Sequence, residues 1–239
     1  MDNKLGKIKQ MNHDDALMNS SRIRTIGFTL IELLVVIAII GILASLTVGL
    51  TRSVSQKQKL ASVQANGAAI EIAIVSYQND LGNYPPDNLL RSNPKIINAG
   101  TNQLYYELVG CRLSRGVYRT GFGDELRAGR VPQLFHQSGL ANVVVNQGET
   151  PKSFIDISKL KANQVGELAL AGDAGGSSGI KVLAVGIPAP GTLPTMVNPW
   201  KYNSSNPTNS VGGFDLWCDF QIGNQTYLNM GNWNGYQAK

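Results

Sequence analysis

Histidine and cysteine are scarce, with only His13, His136, Cys111 and Cys218 in 239 residues. Neither cysteine sits in a Cys-x-x-Cys pair, and two histidines cannot complete a zinc site. Charge is also sparse at 15% of the chain, so the formal net charge of +5 arises from 21 basic and 16 acidic residues spread thinly. No dense Lys/Arg cluster interleaved with aromatic residues occurs, which argues against a phosphate-tracking surface and hence against a nucleic-acid partner. Catalytic signatures are missing too: there is no His-Glu-x-x-His, P-loop or dinucleotide fingerprint. Gly175-Gly176-Ser177-Ser178-Gly179 has the G-x-S-x-G spacing of a nucleophile elbow. A hydrolase of that kind needs a histidine after the serine, and none follows Ser177. His136 has no acidic neighbour in sequence to orient it as a general base. The chain therefore does not read as an enzyme.

Apolar residues, at 43%, are plentiful enough for one folded domain plus a membrane segment. Phe28 to Leu50 reads FTLIELLVVIAIIGILASLTVGL and carries no charge from Leu33 onward. Eighteen residues of that kind span a bilayer, and the run is apolar on every face, unlike a core helix. A secretory signal would have a shorter apolar core and a small-x-small cleavage site, which Ala44-Ser45-Leu46 does not supply. Lys9, Arg22 and Arg24 before the run balance Arg52, Lys57 and Lys59 after it, so the positive-inside rule sets no orientation. The turn-rich remainder reads as an exported domain. Glu32 interrupts the apolar run, and an acid in that setting needs a partner or a function.

Gly27-Phe28-Thr29-Leu30-Ile31-Glu32, preceded by Arg22 and Arg24 and followed by a spanning helix, resembles the signal of type IV pilins and type II secretion pseudopilins. The resemblance implies that a prepilin peptidase cuts after Gly27, that the new amine of Phe28 is methylated, and that Glu32 serves assembly. Glycine suits a scissile bond because it restricts the backbone least. Residues 1–27 are then a leader, and residues 28–81 a long helix whose first part, 28–50, lies in the membrane or the fibre core. Residues 82–239 form a periplasmic head with a variable middle from 87 to 195. Gly82-Asn83-Tyr84-Pro85, Asn198-Pro199-Trp200 and Phe214-Asp215-Leu216-Trp217 are similar to the major pseudopilin's signatures.

The fold expected is α+β: a long hydrophobic N-terminal helix, pilin-like, packed on a small antiparallel β-sheet head. The implied partners are further copies of the chain, other pseudopilins, the prepilin peptidase, an inner-membrane assembly platform and membrane lipid. The implied place is the bacterial inner membrane, crossed once. A type IV pilin of a surface pilus and a membrane-tethered binding module are the rival readings. Pilins usually carry proline where Gly49 stands, and glycine there weakens the helix while keeping its N–H.

Beyond the membrane run, Ile70, Ala73, Ile74, Tyr77 and Leu81 recur at helical spacing and predict one buried stripe. Gly82 and the prolines after it stop that helix, which from Phe28 would be roughly 80 Å long at about 1.5 Å per residue. Gln103–Leu113 reads as a short helix. Ala141–Val145 and Lys181–Ile187 read as strands. From Phe214 to Phe220 apolar and polar residues alternate, and Gly223-Asn224 offers a hairpin turn into Thr226-Tyr227-Leu228. No internal repeat is found. Asp215 and Asp219 read as a solvated strand face, and the Asp-Gly pair of the family's calcium loop is missing after them. No cofactor is implied, and the metal question stays open. Cys111 and Cys218 could bridge in an oxidising compartment, but Cys218 falls on the apolar face, where a buried free thiol fits equally well.

Overall fold

The computed structural model describes residues 27–89, 97–146, 148–168 and 179–237, with backbone only for 46–52. Arg22 and Arg24 of the leader, and the Gly172–Gly179 loop up to Ser178, lie outside the described residues. The chain divides into two units, Met1–Leu50 and Thr51–Lys239. One helix, α1 (Leu30–Leu81), contributes to both. The class is α+β: an N-terminal helix with mostly antiparallel sheets.

In the second unit α1 buries the face that its periodicity predicts. Val63, Ile70, Ala73, Ile74 and Tyr77 are buried, whereas Leu81 at the end of the same stripe is exposed. Leu81 was expected inside, but it stands in the last turn, beyond the elements that cover Tyr77. Gly82 then takes φ 81° and donates its N–H to the Gln78 carbonyl at 2.8 Å, a left-handed stop that glycine adopts without steric penalty. A second glycine sets how closely the tail approaches. A Cβ at Gly67 would stand 2.7 Å from Tyr236 Cε1 and 2.9 Å from Trp200 Cη2. The bare backbone there lets Tyr236 donate to the Gly67 carbonyl and to Glu71, each at 3.2 Å.

Helix α2 (Leu104–Val109) is buried along its whole length and carries a buried carboxylate, Glu107. Glu107 Oε2 accepts from the Tyr77 hydroxyl at 2.9 Å and from the Asn142 N–H at 2.8 Å. Oε1 accepts from the Ala141 N–H at 2.8 Å and from Gln103 Nε2 at 3.1 Å. Burial pushes this carboxyl above its ordinary range, and the Ala141 and Asn142 amides and the Tyr77 hydroxyl oppose that push. The expected helix through Leu113 is shorter than the sequence suggests. It stops at Gly110, at φ 78°, and the chain continues as a strand.

That strand, β1 (Cys111–Ser114), pairs antiparallel with β2 (Val117–Thr120), which pairs with β3 (Glu125–Arg127). On its other side β1 pairs in parallel with β4 (Val143–Val144), inside the strand expected over 141–145. A separate pair, β5 (Val165–Leu168) and β6 (Ile180–Leu183), is antiparallel. The third sheet runs β7 (Lys201–Asn203), β8 (Asp215–Ile222), β9 (Gln225–Gly231), also antiparallel. Among the described residues there are thus three small sheets where one was expected, because the middle of the chain builds two of its own.

In β8 the predicted alternation holds for Leu216, Cys218 and Phe220, which are buried. Asp215 departs from the solvated face expected of it: it is 2% exposed. Its Oδ2 accepts the backbone N–H groups of Thr208 and Asn209 at 2.7 and 3.0 Å, and its Oδ1 accepts that of Ser210 at 2.8 Å. The loop before β8 has folded over the strand and taken the carboxylate as its anchor. Asp219 is half-buried and pairs with Lys201, so it too is not simply solvated. Burial pushes the Asp215 carboxyl up, but the amides of Asn209, Thr208 and Ser210 outweigh it and hold the group below the usual carboxylate range.

Cys111 and Cys218 are free and buried; their thiols face the Tyr106 carbonyl at 3.7 Å and the Met230 carbonyl at 3.8 Å. Burial, with Glu107 and Asp124 nearby, pushes the Cys111 thiol up to about 12, and burial also raises Cys218. Both are chemically inert in the folded state. Thiol counting in denaturant without reductant should therefore find two free thiols per chain, and a count of zero would show the bridge instead. Asp215→Asn should cost about 1.5–3 kcal/mol at pH 7, the range for hydrogen bonds to a charged group. A depressed folded pKa stabilises above the unfolded value and loses that contribution as pH falls through the folded one. The gap between wild type and Asp215→Asn in denaturant titrations should accordingly narrow below about pH 4.

Candidate processing and assembly segment

The residues singled out for processing lead directly into α1. Gly27 has no heavy atom within 4 Å of where a Cβ would be, and Phe28 is 79% exposed. The backbone from Gly27 to Thr29 is irregular, and helix begins at Leu30. An exposed, non-helical junction is what a protease requires, since a peptide bond inside a helix cannot enter an extended binding cleft.

Three residues past Thr29 stands Glu32, and the two close on each other. Glu32 Oε2 accepts the Thr29 N–H at 2.8 Å and the Thr29 hydroxyl at 2.7 Å, while the Glu32 N–H is donated to Thr29 Oγ1 at 3.3 Å. Thr29 also accepts the first helical bond, from the Leu33 N–H at 3.2 Å. This is a capping box, in which residues at N-cap and N3 satisfy backbone donors that the helix cannot reach. The acid also complements the positive end of the helix dipole. The T-x-x-E pattern before an apolar run carries this signal in the sequence, where Glu32 reads only as a costly acid with an implied assembly role. Its second oxygen, Oε1, accepts no bond among the described residues.

Downstream, every described side chain from Leu30 to Ser45 is exposed, including Leu30 at 83% and Ile42 at 62%. Such a surface, apolar all round, needs covering by lipid or by other helices. Among the described residues no helix is long and apolar enough to cross a membrane, the apolar part of α1 being described with its side chains only as far as Ser45. Gly41 has open space around it. Gly49 lies in the part of α1 described by backbone alone.

The other sequence candidates lie elsewhere in the fold. Cys111 and Cys218 belong to different sheets, in β1 and β8. His136, at φ 55°, has Nδ1 2.6 Å from Asn88 Oδ1, a partner the sequence did not suggest. Among the described residues no group of three or more His, Cys, Asp or Glu side chains gathers where a metal ion could sit.

Comparison with known proteins bears on this segment. No curated protein and no solved structure matches the chain. The family model described as the prokaryotic N-terminal methylation motif matches residues 24–48, which include Gly27, Phe28, the capping box and most of the apolar run. That match supports a type IV pilin-like protein, processed as a prepilin and built for a structural role.

Proposed function

We propose that the chain is a prepilin-like structural subunit of a type II secretion pseudopilus, polymerised through its N-terminal helix in support of protein export. Residues 1–27 are removed by the prepilin peptidase as a leader, and the amine freed on Phe28 is methylated. Residues 28–50 anchor the subunit in the bacterial inner membrane and later enter the fibre core. Residues 82–239 are the periplasmic head. The partners are other copies, other pseudopilins and the inner-membrane assembly platform. The observation that carries this reading is the methylation motif at 24–48, which spans an exposed Gly27–Phe28 junction directly before a capped helix with an apolar first part.

The capping box gives Glu32 two roles that use different oxygens. Oε2 holds the start of its own helix, and Oε1 remains open to a donor from outside. Cleavage makes Phe28 the chain terminus and gives it a charged amine. In a fibre, the amine of an incoming subunit can reach the free oxygen of one already placed. Both charges then lie among apolar helices with little water, where a mismatched register would leave each unpaired. The pair therefore selects the axial offset between subunits as well as stabilising it.

In cells with an active prepilin peptidase, intact mass and N-terminal sequencing should find a chain that begins at Phe28 with a methylated amine. Retention of residues 1–27, or a cut near Ala44, would overturn the assignment. Glu32→Gln separates the two roles, because glutamine still closes a capping box but carries no charge. Glu32→Gln and Glu32→Val should both be cleaved, membrane-held and folded in the head, yet absent from sheared fibres. Normal fibre yield from Glu32→Gln would show that the charge has no part in assembly.

A further inference from the structure

The pairing of β8 with β9 breaks at one place. Cys218 lies opposite Met230 and Phe220 opposite Tyr227, so Asp219 faces both Leu228 and Asn229. Two residues against one make a β-bulge, a device that re-aims side chains. Asn229 takes φ 52°, and its N–H is held by Asp219 Oδ1 at 2.7 Å, while Lys201 pairs with the other oxygen of that carboxylate. Leu228 and Asn229 are consequently both exposed, between the buried Tyr227 and Met230.

Next to the bulge an indole is fixed in place. A Cβ at Gly231 would stand 2.4 Å from Trp233 Cζ3, so the ring lies against the glycine itself, with the Trp217 ring 6.2 Å away. The turn that carries Trp233 is tied on both sides. Asn232 accepts from the Leu216 N–H at 3.0 Å and donates to the Phe214 carbonyl at 2.8 Å. Asn234 accepts from the Gly231 N–H and donates to the Asn229 carbonyl, both at 3.1 Å. The ring and the bulge are thus held by the same hydrogen bonds.

These residues border an open hollow of about 570 Å³, walled by Trp233 and Leu228, with Asn209, Thr226, Asn229 and Asn234 around them. Among the described residues no charged side chain lines it. The side chains of Thr226 and Asn229 make no hydrogen bond among the described residues, although both are polar and exposed. The volume falls in the range of small-molecule sites, roughly 300–1,000 Å³, and the mixed aromatic and amide lining is more polar than most. An anionic or cationic ligand would find no counter-charge, and a wholly apolar one would cover amides without pairing them. A pyranose ring meets both demands. Its C–H face stacks on an indole, and its hydroxyls exchange hydrogen bonds with amides and hydroxyls that both donate and accept. We propose that this hollow binds a neutral saccharide chain, so that the head recognises glycan as well as its own kind. The proposal stands apart from the fibre-subunit reading, since none of its residues lies in the processing segment.

Full-length protein, in a detergent without a sugar headgroup, would be titrated with cellohexaose, maltohexaose and N-acetylchitohexaose as neutral probes and a hyaluronan hexasaccharide as the anionic one. Tryptophan fluorescence and calorimetry would follow binding. At least one neutral probe should saturate and the anionic one should not. Trp233→Ala should weaken that binding at least about tenfold, as expected for a central aromatic anchor. Because Trp233 also packs on Trp217, two surface variants guard against misfolding. Asn229→Gly keeps the left-handed backbone and Thr226→Ala removes only a hydroxyl. Each should weaken binding about threefold with an unchanged melting temperature. No saturable binding by any neutral probe, preference for the anionic one, or wild-type affinity in both surface variants would overturn the proposal.

Discussion

The contact on which the head depends is the buried carboxylate of Glu107. Each of its oxygens takes two donors, and these come from α1, from Gln103 just before α2 and from the segment at 141–142. A carboxylate offers about four acceptor positions, so the group is fully used. The arrangement answers two problems at once. The buried Asn142 amide leads into β4 and would otherwise need another partner, and an unpaired buried donor costs about 1–3 kcal/mol. The Tyr77 hydroxyl sits at the end of the buried stripe of α1, where an apolar helix face alone would leave its rotation and depth loosely set. The Asn142 side chain reinforces the junction by donating to the Glu107 and Lys152 carbonyls, each at 2.7 Å. Phe154 covers the assembly, its ring 5.2 Å from that of Tyr77.

The same solution recurs where regular structure is lacking. Asp87 accepts the N–H groups of Ser204 and Ser205, at 2.9 and 2.8 Å, and Asn102 donates to the Ala99 and Trp200 carbonyls, both at 2.7 Å. Asp215 does this for residues 208–210. Loops rich in glycine, proline, serine and asparagine satisfy few of their own backbone groups, and a head with three small sheets has many such loops. Buried acids and amides supply the missing partners. They fix the loops more narrowly than apolar packing would, because each bond has a direction.

How far this was legible follows from what each segment offers to a periodic reading. The face of α1 and the alternation of β8 are long enough for their periods to show, and Gly82 and Gly223-Asn224 mark their ends by residue type alone. Strands β1 to β3 are three or four residues each, with arginine or glutamate in all of them, too short and too charged to display alternation. They are made by pairing: Arg115 and Gly116, both at positive φ, turn β1 into β2, and Arg119 meets Glu125 at 2.6 Å. Asp215 misled for a related reason. Alternation assigns it to the outer face of β8 correctly, but only tertiary structure reveals that a loop covers that face. At the N-terminal segment the methylation motif was legible, while the capping box, at the Thr29 and Glu32 spacing, emerges from the structure.

That box changes what the acid in the apolar run means. The first turn of any helix leaves N–H groups without partners, and in lipid or in a bundle of apolar helices water cannot serve them. Thr29 and Glu32 serve two of them from within the segment. Both lie after Gly27, so the proposed cut there would leave the cap whole and remove only what precedes it. An uncapped helix frays at its first turn. A capped one holds Phe28 in a fixed relation to the carboxylate three residues past Thr29. The acid among leucines and isoleucines thus has a partner within its own helix. Among the described residues its other oxygen takes no part in that contact, and the proposed pairing between subunits would use that oxygen.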